Sequence, residues 1–325
     1  MKILNLPQNR IPEAIDLANR VFRKDEGDMG KDYPALFSLE NAKNILCIEE
    51  DEKIVSIFGL LFKDVQIFSA RIRTVLVGSV CTDEKYRGRG YSTLLMNEAG
   101  NYSIKQGASL MMISGDNSIY RKFGAVDAGV YYAHFVNGDS AVKYHEATLD
   151  DLDNLMIFHT KDPVRFIRDK KTFKTMIETS KADNMPAKIF VSDKAYVVIT
   201  EGVIEKDKEK RYHCVEHGGC QIDVANLIRS VAKQMNPMVI HTTSSDCVLN
   251  EIFASNSLRR RFIGTVKILD SKLFLNQLKP YLEELPYEVK IMDDLSEMTK
   301  YVFGSTEYES KSLQIPLPDY GLDYV

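Results

Sequence analysis

The chain has 325 residues, enough for two domains with separate cores, and its 44% hydrophobic and 27% charged residues are ordinary for a globular protein. A formal net charge of −4 gives no reason to expect nucleic acid as a partner, and no apolar run reaches the length of about eighteen residues that predicts a membrane-spanning helix. Five scattered cysteines and a short, polar N-terminus without the features of a signal peptide favour a reducing cytoplasm.

The first part of the chain predicts a helix and an antiparallel meander that lead to a buried central strand. Residues 2–4 form a short strand, and Pro12 opens a helix with apolar residues at helical spacing. Strands are predicted at 45–50 and 54–62, followed by a turn at Asp64 and a strand over 67–73 that continues into the buried run 74–80. We then expect a helix over 91–107, a strand over 109–114, and closing strands of this domain within 126–136.

The segment between the central strand and the next helix, Arg87-Gly88-Arg89-Gly90, predicts a phosphate site. The first amides of a helix have no internal partner and can bind an anion. Gly88 and Gly90 allow a ligand to approach the backbone closely, and Arg87 and Arg89 supply positive charge. A P-loop is excluded because no G-x-x-x-x-G-K-[ST] run occurs, and a dinucleotide fingerprint is excluded because Thr93 stands in place of its third glycine.

Two motifs carry a resemblance to a known family. Arg87-Gly88-Arg89-Gly90-Tyr91-Ser92 resembles the R-x-x-G-x-[GA] pyrophosphate loop of the GNAT acetyltransferases, with Ser92 at the sixth position. The stretch 117–124 is similar to the family's N-x-x-Y-x-[KR]-x-G motif, which Asn117, Tyr120, Lys122 and Gly124 match.

This resemblance implies a mixed α/β fold of the acyl-CoA N-acyltransferase type, with acetyl-CoA as co-substrate and no metal. It implies that Tyr120 is the general acid that protonates the departing thiolate. A tyrosine that packs its helix against the core is the structural alternative. The residues expected to bind acetyl-CoA are Val80, Cys81, Thr82, Arg87, Gly88, Arg89, Gly90, Tyr91, Ser92, Asn117 and Tyr120.

The second half repeats the element order of the first. We predict a strand at 142–148, a helix at 149–159, a meander of strands at 189–191, 196–200 and 212–215, a helix at 222–234 and a strand at 238–241. The charge run 205–211 predicts a solvated hairpin tip. Where the first half has its phosphate loop, this half has only Gly218-Gly219, and we interpret it as a degenerate acetyltransferase-like domain.

Two polar clusters in this half receive structural interpretations. His213, Cys214, His217 and Cys220 lack the second ligand pair of zinc ribbons and fingers, and strand neighbours such as His213 and Cys214 point to opposite faces. No metal site is therefore predicted. The run 259–261, three consecutive arginines, is interpreted as the C-terminus of a helix, where the helix dipole favours positive charge.

The last part of the chain predicts a strand at 266–270, a helix at 273–278, a strand at 288–292 and a helix at 295–303. The tail 313–325 is rich in proline, aromatic and apolar residues and is expected to lie against the protein. Tandem acetyltransferase halves followed by such a tail resemble the Eis-like branch of the GNAT proteins. This resemblance implies an aminoglycoside-like or other cationic amine as acceptor, and the carboxylate of Val325 as a catalytic group that deprotonates this amine.

Glu49 and Asp116 are the other candidates for the base. An acidic loop could attract a cationic amine, although a solvated loop is the simpler interpretation of Asp25, Glu26, Asp28 and Asp32. The predicted domains are a catalytic acetyl-CoA-binding domain over 1–139, a degenerate domain over 140–269, and a C-terminal segment over 270–325 whose tail docks on the first domain. The expected partner is a small-molecule amine, without nucleic acid or membrane, and a homo-oligomer is left open.

Two other functions compete with an N-acetyltransferase. The first is a non-catalytic sensor that binds acyl-CoA but has no amine site, and the presence of Tyr120 argues against it. The second is a tandem-fold aminoacyl or peptidyl transferase that uses charged tRNA. A negatively charged chain without a basic stripe argues against this second function.

Overall fold

A computed structural model describes residues 1–24, 26–182, 185–203, 210–286, 289–305 and 312–325. Its first part contains β1 (Lys2–Asn5), α1 (Ile11–Phe22), α2 (Met29–Asp32), β2 (Ile45–Glu50), β3 (Lys53–Ile67), β4 (Ala70–Thr82), α3 (Tyr91–Lys105), β5 (Leu110–Ile113), α4 (Ser118–Lys122) and β6 (Val130–Val136). The helix opened near Pro12, the strand over 45–50 and the strand–loop–helix around the phosphate loop are therefore confirmed.

The middle of the chain contains β7 (His145–Glu146), α5 (Leu152–His159), β8 (Val164–Phe166), α6 (Lys170–Thr179), β9 (Lys181–Ala182), β10 (Met185–Val191), β11 (Ala195–Val203), β12 (Lys210–Gly219), α7 (Gln221–Val231) and β13 (Met238–Thr242). The last part contains α8 (Cys247–Ile252), β14 (Ser257–Arg261), β15 (Thr265–Ile268), α9 (Ser271–Leu282) and α10 (Leu295–Phe303). No helix in the described ranges has both the length and the apolar character needed to cross a lipid bilayer.

The strands form two sheets in which corresponding strands follow one another in the same order, and the second sheet has one further edge strand, β14. The first runs β1-β2-β3-β4-β5-β15, with β8 added to β3, and the second runs β7-β10-β11-β12-β13-β6-β14, with β9 added to β10. Each sheet has one parallel pair, β4 with β5 and β12 with β13, among antiparallel neighbours. The repeated element order predicted for the second half is thus present in the strand pairing.

The strands that close the two sheets are exchanged between the halves of the chain. β6 was expected to close the first domain, but it pairs with β13 in the second sheet. The strand beside β5 is β15, which comes from the far end of the second half. Strand pairing does not depend on closeness in sequence, and here each half supplies one strand to the other's sheet: β15 is the edge strand beside β5, and β6 lies between β13 and the edge strand β14. The domain boundaries near 139 and 269 stay a prediction.

Several local predictions were wrong for identifiable reasons. The expected turn at Asp64 lies inside β3, because Asp64 pairs across the strands with Arg73 and its carboxylate binds Arg73 and Arg71. The predicted helix end at 259–261 is the edge strand β14, where exposed arginines discourage further strand pairing. Residues 289–292 form no strand, and Glu288 lies outside the described residues, as do positions 205–209 of the predicted hairpin tip.

The two faces of the first sheet are covered differently. α3 packs on one face over a core that includes Phe58, Leu60 and Leu95. The other face is covered by α1, α9, α10 and the C-terminal tail, whose Ile315, Leu317, Tyr320 and Val325 are buried in the same core. The apolar composition of the tail accounts for this packing. As predicted, the tail lies against the protein.

Candidate functional site

The first sheet opens between β4 and β5. Their parallel pairing runs from Thr74 with Leu110 to Val77 with Ile113, where β5 ends while β4 continues to Thr82. Ser79 has a positive φ of 51°, and the register with β3 shifts in the same region. Beyond Val77, β4 is not paired with β5, and we refer to the space between these two strand ends as the β4–β5 opening.

The predicted phosphate loop follows β4 directly. Gly88 and Gly90 have φ values of 79° and 77°, a left-handed conformation that favours glycine. α3 begins at Tyr91, its first internal hydrogen bond runs from the Leu94 amide to the Gly90 carbonyl, and no side chain caps it. The amides at its start therefore face a cavity of about 260 Å³, which suits an anionic ligand.

Two basic side chains line this cavity, Arg87 of the loop and Lys122 of α4. Arg87 and Arg89 keep about half of their side-chain surface exposed, but the predicted binding residues Arg89 and Asn117 are not among the lining residues. Arg89 stacks over the Tyr86 ring at 4.8 Å and pairs with Glu50 at 3.0 Å. The loop and the second motif thus meet at one cavity.

The polar residues at the end of β4 fix the start of α3. The Thr82 hydroxyl lies 2.8 Å from Ser56 Oγ and 3.2 Å from Ser92 Oγ, so Ser92 ties the helix to the sheet. Tyr91 donates to Glu50 on β2. Cys81 is buried, and burial raises the pKa of its thiol to about 12, so it stays protonated and a poor nucleophile. Val80 is half-buried.

Tyr120 lies beside the opening on α4. Its ring packs against Gly115, where a Cβ would come within 3.0 Å of the ring. Burial, and then the nearby Tyr324 hydroxyl, raise the pKa of Tyr120 to about 12. The phenol is therefore protonated at neutral pH and able to donate. Asn117 caps the same helix by accepting from the Ile119 amide at 3.3 Å.

Val325 lies inside the opening and is only 7% exposed. One oxygen of its carboxylate accepts a hydrogen bond from Ser114 Oγ at 3.2 Å, just beyond the end of β5. On the other side it packs on Gly78, where any Cβ would lie 2.6 Å from the Val325 carbonyl carbon. Val325 and Tyr120 therefore contact the consecutive residues Ser114 and Gly115.

A buried ion-pair network holds the tail in place. The Asp323 carboxylate is fully buried between Arg168 at 2.7 Å and Lys63 at 2.9 Å. Arg168 also pairs with Glu216 at 2.7 Å, and Glu216 accepts the Leu322 amide at 3.0 Å. Burial by itself would raise the pKa of Glu216, but the Arg168 guanidinium outweighs it and holds that pKa at about 2. The fixed tail positions Val325.

Sequence reasoning missed this network because its members are far apart in the chain and each is common on protein surfaces. The available signal was a carboxylate, Asp323, within an otherwise apolar and buried-looking tail. A buried acid requires a basic partner, and Arg168 is the partner in the structure.

A cavity of about 640 Å³ lies next to Val325, Tyr324 and the part of β3 between its contacts with β2 and β8. Its acidic lining residues are Asp32, Glu40, Asp64, Asp169 and Asp323. Its basic lining residues are Lys63, Arg71, Arg73, Lys171 and Lys181. These side chains balance one another, so the lining as a whole is not strongly acidic.

The acidic loop contributes one residue, Asp32, to this cavity. Asp32 is paired with Lys181 and with Arg23, the latter at 2.7 Å, so its charge is matched. Asp28 accepts the Gly30 amide at the start of α2, Glu26 is not in the cavity lining, and Asp25 lies outside the described residues.

The other candidates for the base are engaged in ion pairs. Glu49 binds Arg10, and Asp116 binds Arg121 at 2.7 Å. Neither lines the cavity beside Val325. In the second half, His213 contacts His241 at 3.2 Å. His213, Cys214, His217 and Cys220, for which no metal site was predicted, do not form a close group of ligand atoms among the described residues.

Comparisons with known proteins identify related folds. Residues 2–126 match the family model described as acetyltransferase (GNAT) domain. A search of curated proteins finds no significant match. The chain superimposes on a GCN5-related N-acetyltransferase from Kribbella flavida with a TM-score of 0.62 and 14% identity, covering 84% of this chain and 72% of that one.

Two further solved structures are similar. A probable N-acyltransferase from Enterococcus faecalis has a TM-score of 0.64 and 14% identity, covering 85% of this chain and 74% of that one. Eis1 from Mycobacterium abscessus has a TM-score of 0.55 and 13% identity, covering 83% of this chain and 74% of that one. Identities this low show the fold alone. The mixed α/β GNAT fold, with two tandem GNAT-like units, is thus confirmed.

Proposed function

We propose that the protein is an acetyl-CoA-dependent N-acetyltransferase that transfers an acetyl group directly to a primary amine. The observation that carries this proposal is the meeting of Val325 and Tyr120 at the β4–β5 opening, on the adjacent residues Ser114 and Gly115. An amine acceptor needs a group that removes its proton, and the leaving thiolate needs one that supplies a proton. The β4–β5 opening contains a candidate for each role, Val325 for the base and Tyr120 for the acid.

The chain has the features required to hold acetyl-CoA. The loop from Arg87 to Ser92, with Lys122 opposite, would bind the diphosphate through helix amides and positive charge. The edge of β4 beyond Val77 has no partner in β5, so the backbone of Val80, Cys81 and Thr82 would pair with the pantetheine arm as an added strand. Ser79 Oγ is buried without a hydrogen-bond partner among the described residues, which fits a polar ligand there.

The steps follow from these positions. The amine enters from the cavity of about 640 Å³. The carboxylate of Val325 accepts a proton from the amine, directly or through water. The nitrogen of the amine then attacks the thioester carbon. A backbone N–H near Val80 polarises the thioester oxygen. When the carbon–sulfur bond breaks, Tyr120 donates its proton to the sulfur. The products are the N-acetylated amine and free CoA, without a covalent enzyme intermediate.

The acceptor is a primary amine of a small molecule. The Eis-like branch that the sequence resembles, and hence an aminoglycoside-like or other cationic amine, is one form of this proposal, and the fold shared with Eis1 is compatible with it. The cavity's matched acidic and basic residues do not favour a polycation over an amine that also carries an anionic group. A panel of acceptors must therefore include both types.

The test measures CoA-thiol release from acetyl-CoA over aminoglycosides, polyamines, amino acids and lysine peptides, with a reaction lacking acceptor as background. We expect release that depends on one class of amine and yields a stoichiometric acetylated product by mass spectrometry. Binding of acetyl-CoA without release for any acceptor would overturn the proposal in favour of an acyl-CoA sensor. Tight tRNA binding at physiological salt would favour the aminoacyl transferase instead.

A further inference from the structure

A buried group of metal-binding side chains lies in the second sheet, away from the proposed acetyltransferase site. It consists of Asp162, just before β8, His217 on β12 and Asp246 at the start of α8. One ligand atom from each lies within 4.8 Å of the others, and no other group of three such residues this close occurs in the part of the chain that the structure describes.

In the second sheet, this group lies at the position that corresponds to the β4–β5 opening of the first sheet. In the second sheet, β12 and β13 pair in parallel from Tyr212 with Met238 to Cys214 with Ile240. His217 lies on β12 beyond the end of this pairing, as Val80 does on β4. A cavity of about 50 Å³ is found there, lined by Asp162, His217 and Asp246 and by the tail at Leu317. Such a cavity exceeds the roughly 10–15 Å³ that one water needs.

The ligand atoms are held in position from outside the cavity. Asp162 Oδ1 accepts the Val164 amide at 2.9 Å, and Asp246 Oδ2 accepts the Thr243 amide at 2.7 Å. The second oxygen of Asp246, Oδ1, lies 3.7 Å from His217 Nε2. His217 is only 8% exposed. Within the described ranges neither ring nitrogen makes a hydrogen bond or is fully buried, so the imidazole can bind a ligand in the cavity.

Nearby cations do not neutralise these carboxylates. Within the described ranges, neither Asp162 nor Asp246 has a lysine or arginine nitrogen within 4.0 Å. Arg165 donates to the backbone carbonyl of Asp162, and Arg168 is occupied by Glu216 and Asp323. Arg165 lines the same cavity but makes no ion pair with either carboxylate, and burial of carboxylates without a paired cation is costly in a protein interior.

We propose that Asp162, His217 and Asp246 bind one divalent transition-metal ion, of the Zn²⁺ or Mn²⁺ type. Imidazole nitrogen with carboxylate oxygen is a donor set that such ions accept, and three protein ligands leave a position for water. At metal–ligand distances of about 2.0–2.2 Å, tetrahedral ligand atoms lie roughly 3.4 Å apart, so side-chain atoms that are now up to 4.8 Å apart have to approach one another by up to about 1.4 Å. The ion joins β12, α8 and the segment before β8, which pairs with β3 of the first sheet.

The test uses the full-length protein without an affinity tag, stripped with a chelator and dialysed. Zn²⁺ and Mn²⁺ binding is measured by calorimetry, and Co²⁺ is used as a spectroscopic probe of the coordination. Exposed Cys220 and Cys247 could bind zinc adventitiously, so the reference protein carries Cys220→Ser and Cys247→Ser. We expect one ion per chain and a rise in melting temperature on metal addition.

Asp246→Asn and His217→Gln keep the shape of the side chains and are expected to weaken metal binding at least 100-fold. His213→Gln, a half-buried histidine on the same strand outside the group, is the matched control and should bind as the reference does. Melting temperatures in chelator show whether each variant is folded. Absence of stoichiometric binding in the reference, or equal binding in Asp246→Asn and His213→Gln, would overturn the proposal. Amine acetylation is not part of the readout.

Discussion

Val325 lies directly against Gly78, at the residue where β4 and β5 separate. A Cβ on Gly78 would come within 2.6 Å of the carbonyl carbon and 3.1 Å of the Cβ of Val325. Position 78 requires glycine, because any side chain on this face of the sheet would occupy the space that Val325 fills. A residue in the middle of a strand and one far along the sequence thus form the proposed site together.

Gly78→Ala should displace Val325 and lower the free energy of unfolding by about 1–3 kcal/mol, the usual cost of overpacking. The same substitution in a chain truncated after Tyr324 should cost much less, because the group it meets has been removed. Denaturant unfolding of the four proteins of this double-mutant cycle checks the contact. An equal cost in both backgrounds would show that Gly78 and Val325 do not interact.

Tyr120→Phe removes the proposed general acid and should lower kcat by about 100-fold. Acetyl-CoA affinity should be nearly unchanged, because the ring still packs against Gly115. Tyr102→Phe on α3, whose hydroxyl binds Asn44 at 2.9 Å, is the matched control and should keep full turnover. Steady-state kinetics together with calorimetric binding separate the two effects, and normal turnover by Tyr120→Phe would refute the assignment.

Gly90→Ala should weaken acetyl-CoA binding by about tenfold or more, because φ of 77° is strained for alanine and the amides at the start of α3 would be displaced. Gly107→Ala lies just after the other end of α3, with φ of 81° and equally open space around its Cβ. Both variants should lose about 1 kcal/mol of stability. Only Gly90→Ala should lose affinity, and equal losses of affinity would argue against a diphosphate at this loop.

The Glu216 carboxylate makes stability depend on acid pH. Its pKa is lowered from 4.5 to about 2 in the folded protein, so folding is favoured while the group is ionised. This contribution, on the order of 3 kcal/mol, is complete above about pH 4.5 and is lost as the pH falls towards 2.

Glu216→Gln should therefore be less stable than wild type at pH 7, with a difference that shrinks as the pH falls from 4.5 to 2. Urea unfolding at several pH values measures this difference. Glu84→Gln, an exposed carboxylate beside Arg87, is the control and should follow the wild-type curve. A pH-independent difference for Glu216→Gln would mean that Glu216 is not ionised against Arg168.

Local pattern was enough to predict the phosphate loop, because a strand, two glycines and a helix start are contiguous in sequence. It was also enough to predict α10, whose apolar spacing spans its whole length. It could not predict that β6 and β15 exchange sheets, since strand pairing depends on contacts between distant segments. The error at Asp64 has the same origin, because the charge that suggested a turn is matched by Arg73 on the neighbouring strand.

The site could be predicted only in part for a related reason. Tyr120 and the loop belong to short motifs, and the tail's composition indicated burial. The network of Arg168, Glu216 and Asp323 draws on three separate segments and has no local signature. The balance of charge in the acceptor cavity was equally hidden, because the acidic loop is visible in the sequence whereas its partner Lys181 lies far from it.

The central claim is tested most directly by comparing kcat for a chain truncated after Tyr324 with kcat for Val325→Ala, using the best amine acceptor. Val325→Ala keeps the carboxylate in place, whereas truncation moves it back by one residue. We predict that truncation lowers kcat about 100-fold with little change in KM for acetyl-CoA, and that Val325→Ala stays within a few-fold of wild type. Full activity after truncation, or equal losses in both variants, would contradict a catalytic role for the Val325 carboxylate.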